Sequence, residues 1–138
     1  MRAVLAALAL IGCLSACSVT ATPLEKGAGD ATSATGSAAL ALRGLDDGDL
    51  LPTVAETTIE DAVTTASKAA KEVAAYPARS AAEKRLQEQA VEAIADAVRD
   101  LHRARDAVTT PGVRERVAAR LTKDRDRLDE LTTKAGSV

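Results

Sequence analysis

Residues 80–108, SAAEKRLQEQAVEAIADAVRDLHRARDAV, decide the fold class. Ser80 followed three positions later by Glu83 has the spacing of a capping box, in which the hydroxyl accepts from the third helical N–H while the carboxylate reaches back. Beyond it Val91, Ile94, Val98, Leu101, Arg105 and Val108 recur at alternating steps of three and four, the heptad spacing of a helix with one buried seam. Leu86, Ala90 and Ala97 widen that face enough to cover a bundle core. The stretch predicts a helix of roughly 29 residues, about 43 Å long at about 1.5 Å per residue.

Working outward toward the C terminus, Thr110-Pro111-Gly112 breaks the helix and begins another, with Thr110 as cap and Pro111 at the first helical position. Its stripe is Val113, Val117, Leu121, Leu128 and Leu131, with Asp124 on the seam between two leucines. So short a connection makes the two helices an antiparallel pair. The tail from Lys134 is expected to fray. Toward the N terminus, Thr53-Val54-Ala55-Glu56 has capping-box spacing and opens a helix whose stripe is Ile59, Ala62, Val63, Ala66, Ala70 and Val73. Tyr76 ends it, because Pro77 pushes the preceding residue out of the helical region. A further helix is expected over residues 35–47 from Ala38, Ala41, Leu42 and Leu45, with Gly48 as its stop. No run of alternating apolar and polar residues is long enough for a strand. The expected architecture is all-α, a small Ala-rich antiparallel bundle of three to four helices over residues 34–138. With no Trp, no Phe and Tyr76 alone among aromatics, its core must be built from Ala, Val, Leu and Ile.

The start of the chain has a different character. Met1 and Arg2 precede an apolar run of twelve, residues 3–14, too short for the roughly 20 residues of a bilayer span and of the form of a secretory signal. At its edge stand Leu14-Ser15-Ala16-Cys17. These four resemble the lipobox of bacterial lipoproteins. The resemblance implies cleavage after Ala16, so that residues 1–16 are removed, and a thioether-linked diacylglycerol on Cys17. Leu14, Ser15 and Ala16 would be what the signal peptidase recognises. Two other readings of the same residues are ordinary cleavage that leaves a free thiol, and an uncleaved membrane helix. Cys13 follows Leu10-Ile11-Gly12, with the bulky Ile11 where the pattern has a small residue, and is not the expected acceptor. Two acyl chains, palmitate among the candidates, hold a protein on a bilayer where one is marginal, each buried methylene contributing about 0.8 kcal/mol. Residues 17–33, rich in Ser, Thr, Gly and Ala, are expected to form a flexible tether with an r.m.s. span of about 20 Å.

Without its leader the chain carries 17 basic and 20 acidic side chains. Residues 18–80 hold 5 basic against 9 acidic, and residues 81–138 hold 12 against 11, so neither half is a basic patch and nucleic acid is not an expected partner. The abundance of Ala, Arg, Asp, Val and Thr with scarce Lys resembles the composition of high-GC bacteria, the actinobacteria in particular.

Several constellations could carry chemistry. His102, the sole histidine, lies four residues before Asp106, within reach on a helix, but no nucleophile elbow accompanies it. Asp46-Asp47-Gly48-Asp49 clusters carboxylates; counting twelve from Asp46 gives Thr57 where a calcium loop needs Glu. Helix-stop and turn chemistry accounts for it. The alternating charges from Arg114 to Glu130 read as a solvated helical face, or as a docking strip. Arg105 and Asp124 each sit on an otherwise apolar seam. Either they pair across the two helices and fix their register, or each snorkels to water from the stripe edge. Metal and cofactor motifs are missing, and no catalytic residue, metal or cofactor is assigned. The expected protein is a lipid-anchored component of the cell membrane's extracytoplasmic face. Its bundle binds or assembles with another envelope protein, or with copies of itself through wide Ala-rich faces. The alternatives are a carrier of a small apolar ligand or lipid, and a prophage-encoded surface lipoprotein acting in superinfection exclusion.

Overall fold

The computed structural model describes residues 21–138. Four helices follow one another: α1 (Pro23–Asp46), α2 (Pro52–Ala74), α3 (Ala81–Ala107) and α4 (Pro111–Ala135). Among the described residues there is no strand. Each helix packs on its chain neighbours, α4 closes back on α1, and α1 also meets α3 across the diagonal. The connections are only a few residues long, so successive helices run antiparallel as the sequence leads one to expect.

The largest departure from the sequence reading is α1, which begins at Pro23 and not near residue 35. Residues 23–33, expected to belong to a tether, are helical. Thr22 caps the helix: its Oγ1 accepts from the Glu25 N–H at 3.1 Å, and Pro23 occupies the first helical position. Thr22-Pro23-Leu24-Glu25 is therefore the same Thr-x-x-Glu signal that marks Ser80, hidden among residues of low helix propensity. Leu24, Ala28, Ala31 and Ala38 are buried at steps of three, four and seven. The cost of a helical glycine, about 1 kcal/mol relative to alanine, is offset here by close approach. A Cβ on Gly27 would stand 2.4 Å from Val73 Cγ2, so only glycine lets α1 and α2 come together at this level.

That contact separates two substitutions that local propensity alone would treat alike. Gly27→Ala forces a methyl onto a fully buried valine and is expected to destabilise the bundle by about 1 to 2 kcal/mol. Gly36→Ala meets only Arg125 Cδ at 3.4 Å, the end of a flexible exposed side chain, and is expected to stabilise by up to about 1 kcal/mol. Urea titrations of both variants check the opposite signs.

The other helix ends show which caps form. Ser80 Oγ accepts from Glu83 N–H at 3.1 Å, while Glu83 Oε2 accepts from Arg79 N–H, one residue beyond the usual partner. The box expected at Thr53 does not form: Leu51 is the N-cap, makes no side-chain cap, and Pro52 takes the first helical position. Proline has the correct φ already and no N–H to satisfy, so the helix starts two residues earlier than the hydroxyl suggested. At the end of α1, Gly48 has φ +77°, with Gly48 N–H donating to Leu45 O and Asp49 N–H to Gly44 O, a Schellman stop. Helix α4 runs to Ala135, which is buried, two residues into the expected fraying tail.

More than half of the buried apolar side chains are alanine. They form two clusters. One joins Leu42, Leu45, Ile59, Leu101 and Leu121 near the α1–α2 turn; the other joins Leu24, Val73, Ile94, Leu128 and Leu131 toward the α2–α3 turn. Polar residues interrupt the stripes between them, Thr35 on α1 and Asp124 on α4. Gln87, also buried, closes the end of α2. Its Nε2 donates to the carbonyls of Val73 and Tyr76 at 2.8 and 2.7 Å, groups that no further helical turn could satisfy.

Candidate functional site

Leu14, Ser15, Ala16 and Cys17 lie outside the described residues. The fold nevertheless limits what an anchor there could do. Only five residues, 18–22, separate Cys17 from Pro23, and fully extended they reach about 17 Å at most. The end of the bundle that carries Thr22 also carries the α2–α3 turn, since Ala21 and Pro23 line a cleft of about 490 Å³ with Tyr76 and Pro77. The chain's last turn is there too, with Gly136 beside Glu25. The α1–α2 and α3–α4 turns occupy the opposite end, roughly 36 Å away along the 24 residues of α1 at about 1.5 Å each.

Arg105 and Asp124 do not pair. Arg105 is exposed, because Ala104 and Ala107, not Arg105, line the core side of the last turns of α3. Around the common line of Ile94, Leu101 and Val108, the small residues Ala90, Ala97 and Ala104 turn inward and allow close helix contact. Val91 and Val98 on the other flank are half-buried, and Arg105 continues that flank into solvent.

Asp124 meets carboxylates in place of a cation. Its Oδ2 is buried without a hydrogen-bond partner among the described residues. Burial first, then the charge of Asp100 and a hydrogen bond shared with it, with Asp96 adding to them, push the Asp124 carboxyl up to about 6; Arg127 opposes them. Two acceptor-only carboxylates cannot satisfy one another, whereas a protonated Asp124 can donate to Asp100. Arginines hold the surrounding acids: Arg103 pairs with Asp100, Arg99 with Asp96, and Arg127 reaches Asp96 at 3.1 Å and Glu92 at 3.5 Å.

The other constellations resolve into local structure. His102 and Asp106 are both exposed, and among the described residues no hydrogen bond joins them. Asp46 pairs with Arg114 at 3.3 Å, and the guanidinium of Arg114 also donates to the carbonyls of Ala107 and Val108, tying the α1–α2 turn to the α3–α4 turn. Among the described residues, no group of three or more His, Cys, Asp or Glu is arranged to hold a metal ion. Part of the alternating strip on α4 is engaged inside the molecule, through Arg127 and through Lys134 with Glu130 at 2.6 Å. Arg116 and Arg120 make no ion pair within 4 Å among the described residues. With Arg103 and Asp106 they wall a groove of about 290 Å³ whose floor includes Ala107 and Val117. Sequence reading passed over this groove because its walls come from two helices. No helix among the described residues is long and apolar enough to cross a membrane. Comparison with protein-family models, with curated proteins and with solved structures gives no match.

Proposed function

We propose that the chain is a lipid-anchored protein of the bacterial cell envelope, held on the extracytoplasmic face of the membrane by a diacylglycerol on Cys17. The four-helix bundle it displays is a non-catalytic binding or assembly module. The observation that carries this reading is the junction itself. A short apolar run ends at Leu14-Ser15-Ala16-Cys17, and a capped helix of the bundle starts six residues after the cysteine. No described helix is long and apolar enough to cross a membrane, and two acyl chains on Cys17 would supply stable bilayer affinity. His102 is exposed and makes no side-chain hydrogen bond or ion pair among the described residues, and no cysteine follows Cys17, which favours a binding role over a catalytic one.

Substituting Cys17→Ser in the full-length chain tests it. The unsubstituted protein is expected in the membrane fraction, with the intact mass of the chain from Cys17 plus a diacylglycerol. The serine variant is expected to lose that mass and leave the mature membrane-bound pool. A membrane-bound protein whose Cys17 carries a free thiol would sink the proposal.

A further inference from the structure

We infer that copies of this chain associate side by side at the end of the bundle farthest from Thr22: the acidic, apolar corner of α1 and α2 on one copy seats against the arginine-walled groove of α3 and α4 on the next.

Charge is segregated at that end. Residues 44–67 contain six carboxylates and no Lys or Arg. Of these only Asp46 has a basic partner within 4 Å among the described residues. Asp47, Asp49 and Glu56 have none, and none of them lies in the first turn of α2, where the helix dipole would account for a carboxylate. The same corner exposes large apolar side chains. Leu40, Leu51 and Val54 are exposed at 66%, 69% and 46%, and Val138 at the other end is the one further large apolar residue so exposed among the described residues. Ser37 and Thr58 line one groove between α1 and α2. A turn onward from Ser37 stands Leu40, and a turn back from Thr58 stands Val54, so the helical repeat brings the two together with Leu51 beside them. An apolar cluster rimmed by polar groups is the form of an interaction surface.

The groove on the other side has the complementary make-up. Arg116 and Arg120 have no ion-pair partner among the described residues, Arg103 is held by Asp100, and Asp106 is the acid among them; Ala107 and Val117 give an apolar floor. The helices follow one another around the bundle, so the α1–α2 and α3–α4 faces lie on opposite sides. The Asp46–Arg114 pair puts them at the same end. A symmetric pairing through either face would set carboxylates on carboxylates or guanidiniums on guanidiniums, and an anionic bilayer would repel the acidic corner. A second copy turned the same way presents arginine to acid and apolar to apolar. The contact is heterologous, so it generates a ring or an open row. That copies stand at one height above a bilayer rests on the anchoring reading; the fit of the two faces does not.

Cysteine crosslinking in cells tests this on the full-length chain. Copies carrying Val54→Cys are co-expressed with copies carrying Thr110→Cys, an exposed residue at the mouth of the same groove, and dimers are expected only from the mixture, with a ladder of multimers when both substitutions share one chain. Reversing the groove with Arg116→Glu and Arg120→Glu is expected to lower the mixed crosslink by about tenfold. Asp47→Lys with Asp49→Lys on the other copy is expected to restore it, which loss of folding would not allow. No mixed dimer, or a Val54→Cys dimer as abundant alone as in the mixture, overturns the inference. Fractionation of the same cells reads the anchor separately. Crosslinks in chain absent from membranes would remove the anchor and keep the contact, and membrane-bound chain without crosslinks would do the reverse.

Discussion

Leu101→Ala is expected to destabilise the bundle by about 4 kcal/mol, toward the upper end of the range for such truncations. Leu101 is fully buried and belongs to the cluster shared by all four helices. The cost of a cavity depends on how far its lining can collapse. Around Leu101 much of that lining is alanine, Ala38, Ala62 and Ala104 among the cluster's members, and a methyl group has no rotamer through which to fill space. A domain of this size has a total stability of roughly 6 to 15 kcal/mol, so this one change removes a large part of it. The midpoint of thermal unfolding should fall by about 15 °C. Leu40→Ala, the same chemistry at a position 66% exposed, is expected to shift stability by less than about 0.5 kcal/mol. Circular dichroism melts of the two variants measure the contrast. Equal losses would mean that the α1–α2 corner is as well packed as the core.

Asp124→Asn is expected to stabilise the protein at neutral pH, and the gain should vanish in acid. The Asp124 carboxyl, near 3.8 when unfolded, is raised to about 6 in the bundle by burial and by Asp100. Between these values the folded state holds a proton that the unfolded state has released, so the native state is favoured by acid. The stabilising effect of that proton is complete below about pH 3.8 and is lost as pH rises through about 6. Because Asp124 retains some contact with solvent, screening reduces the full linkage value to about 1 to 2 kcal/mol. Asparagine presents a permanent N–H donor to Asp100 and carries no charge. The difference between variant and parent should therefore grow from near zero at pH 4 to about 1 to 2 kcal/mol at pH 7.5. Urea unfolding at both pH values measures it. A variant less stable than the parent at pH 7.5 would show that the charged carboxylate is accommodated.

The paired acids also explain why the register pair read from sequence does not exist. Arg105 and Asp124 occupy equivalent places on ideal heptads, and a heptad places them face to face. A heptad repeat leaves open which flank of the seam turns inward, however, and the flanks of α3 differ in size. Alanine at positions 90, 97 and 104 lets α3 approach its neighbours more closely than Val91, Val98 and Arg105 would, so the helix rotates toward alanine and the arginine leaves the interface. Asp124 is then opposed by Asp100, a residue whose role is invisible until that rotation is known.

The start of α1 shows the limit from the other direction. Its capping signal at Thr22 and Glu25 is plainly in the sequence, yet Gly27, Gly29 and Gly36 argue locally against a helix. What outweighs them is burial against α2 and α4, with Gly27 required by Val73. Propensity is a property of a segment, whereas the gain that overrides it belongs to contacts between segments.

The sequence by itself determined that the chain is all-helical, where the long helices turn, and that its core is aliphatic and dominated by alanine. Those properties follow from period, caps and composition, which act over a few residues. Only the tertiary structure decided that residues 23–33 are helical, that Asp124 faces Asp100 and not Arg105, and that arginines from α3 and α4 wall one groove opposite an acidic corner. Each of these depends on the rotation and spacing of helices about one another. Close packing of small side chains fixes both, and no window along the chain contains that information.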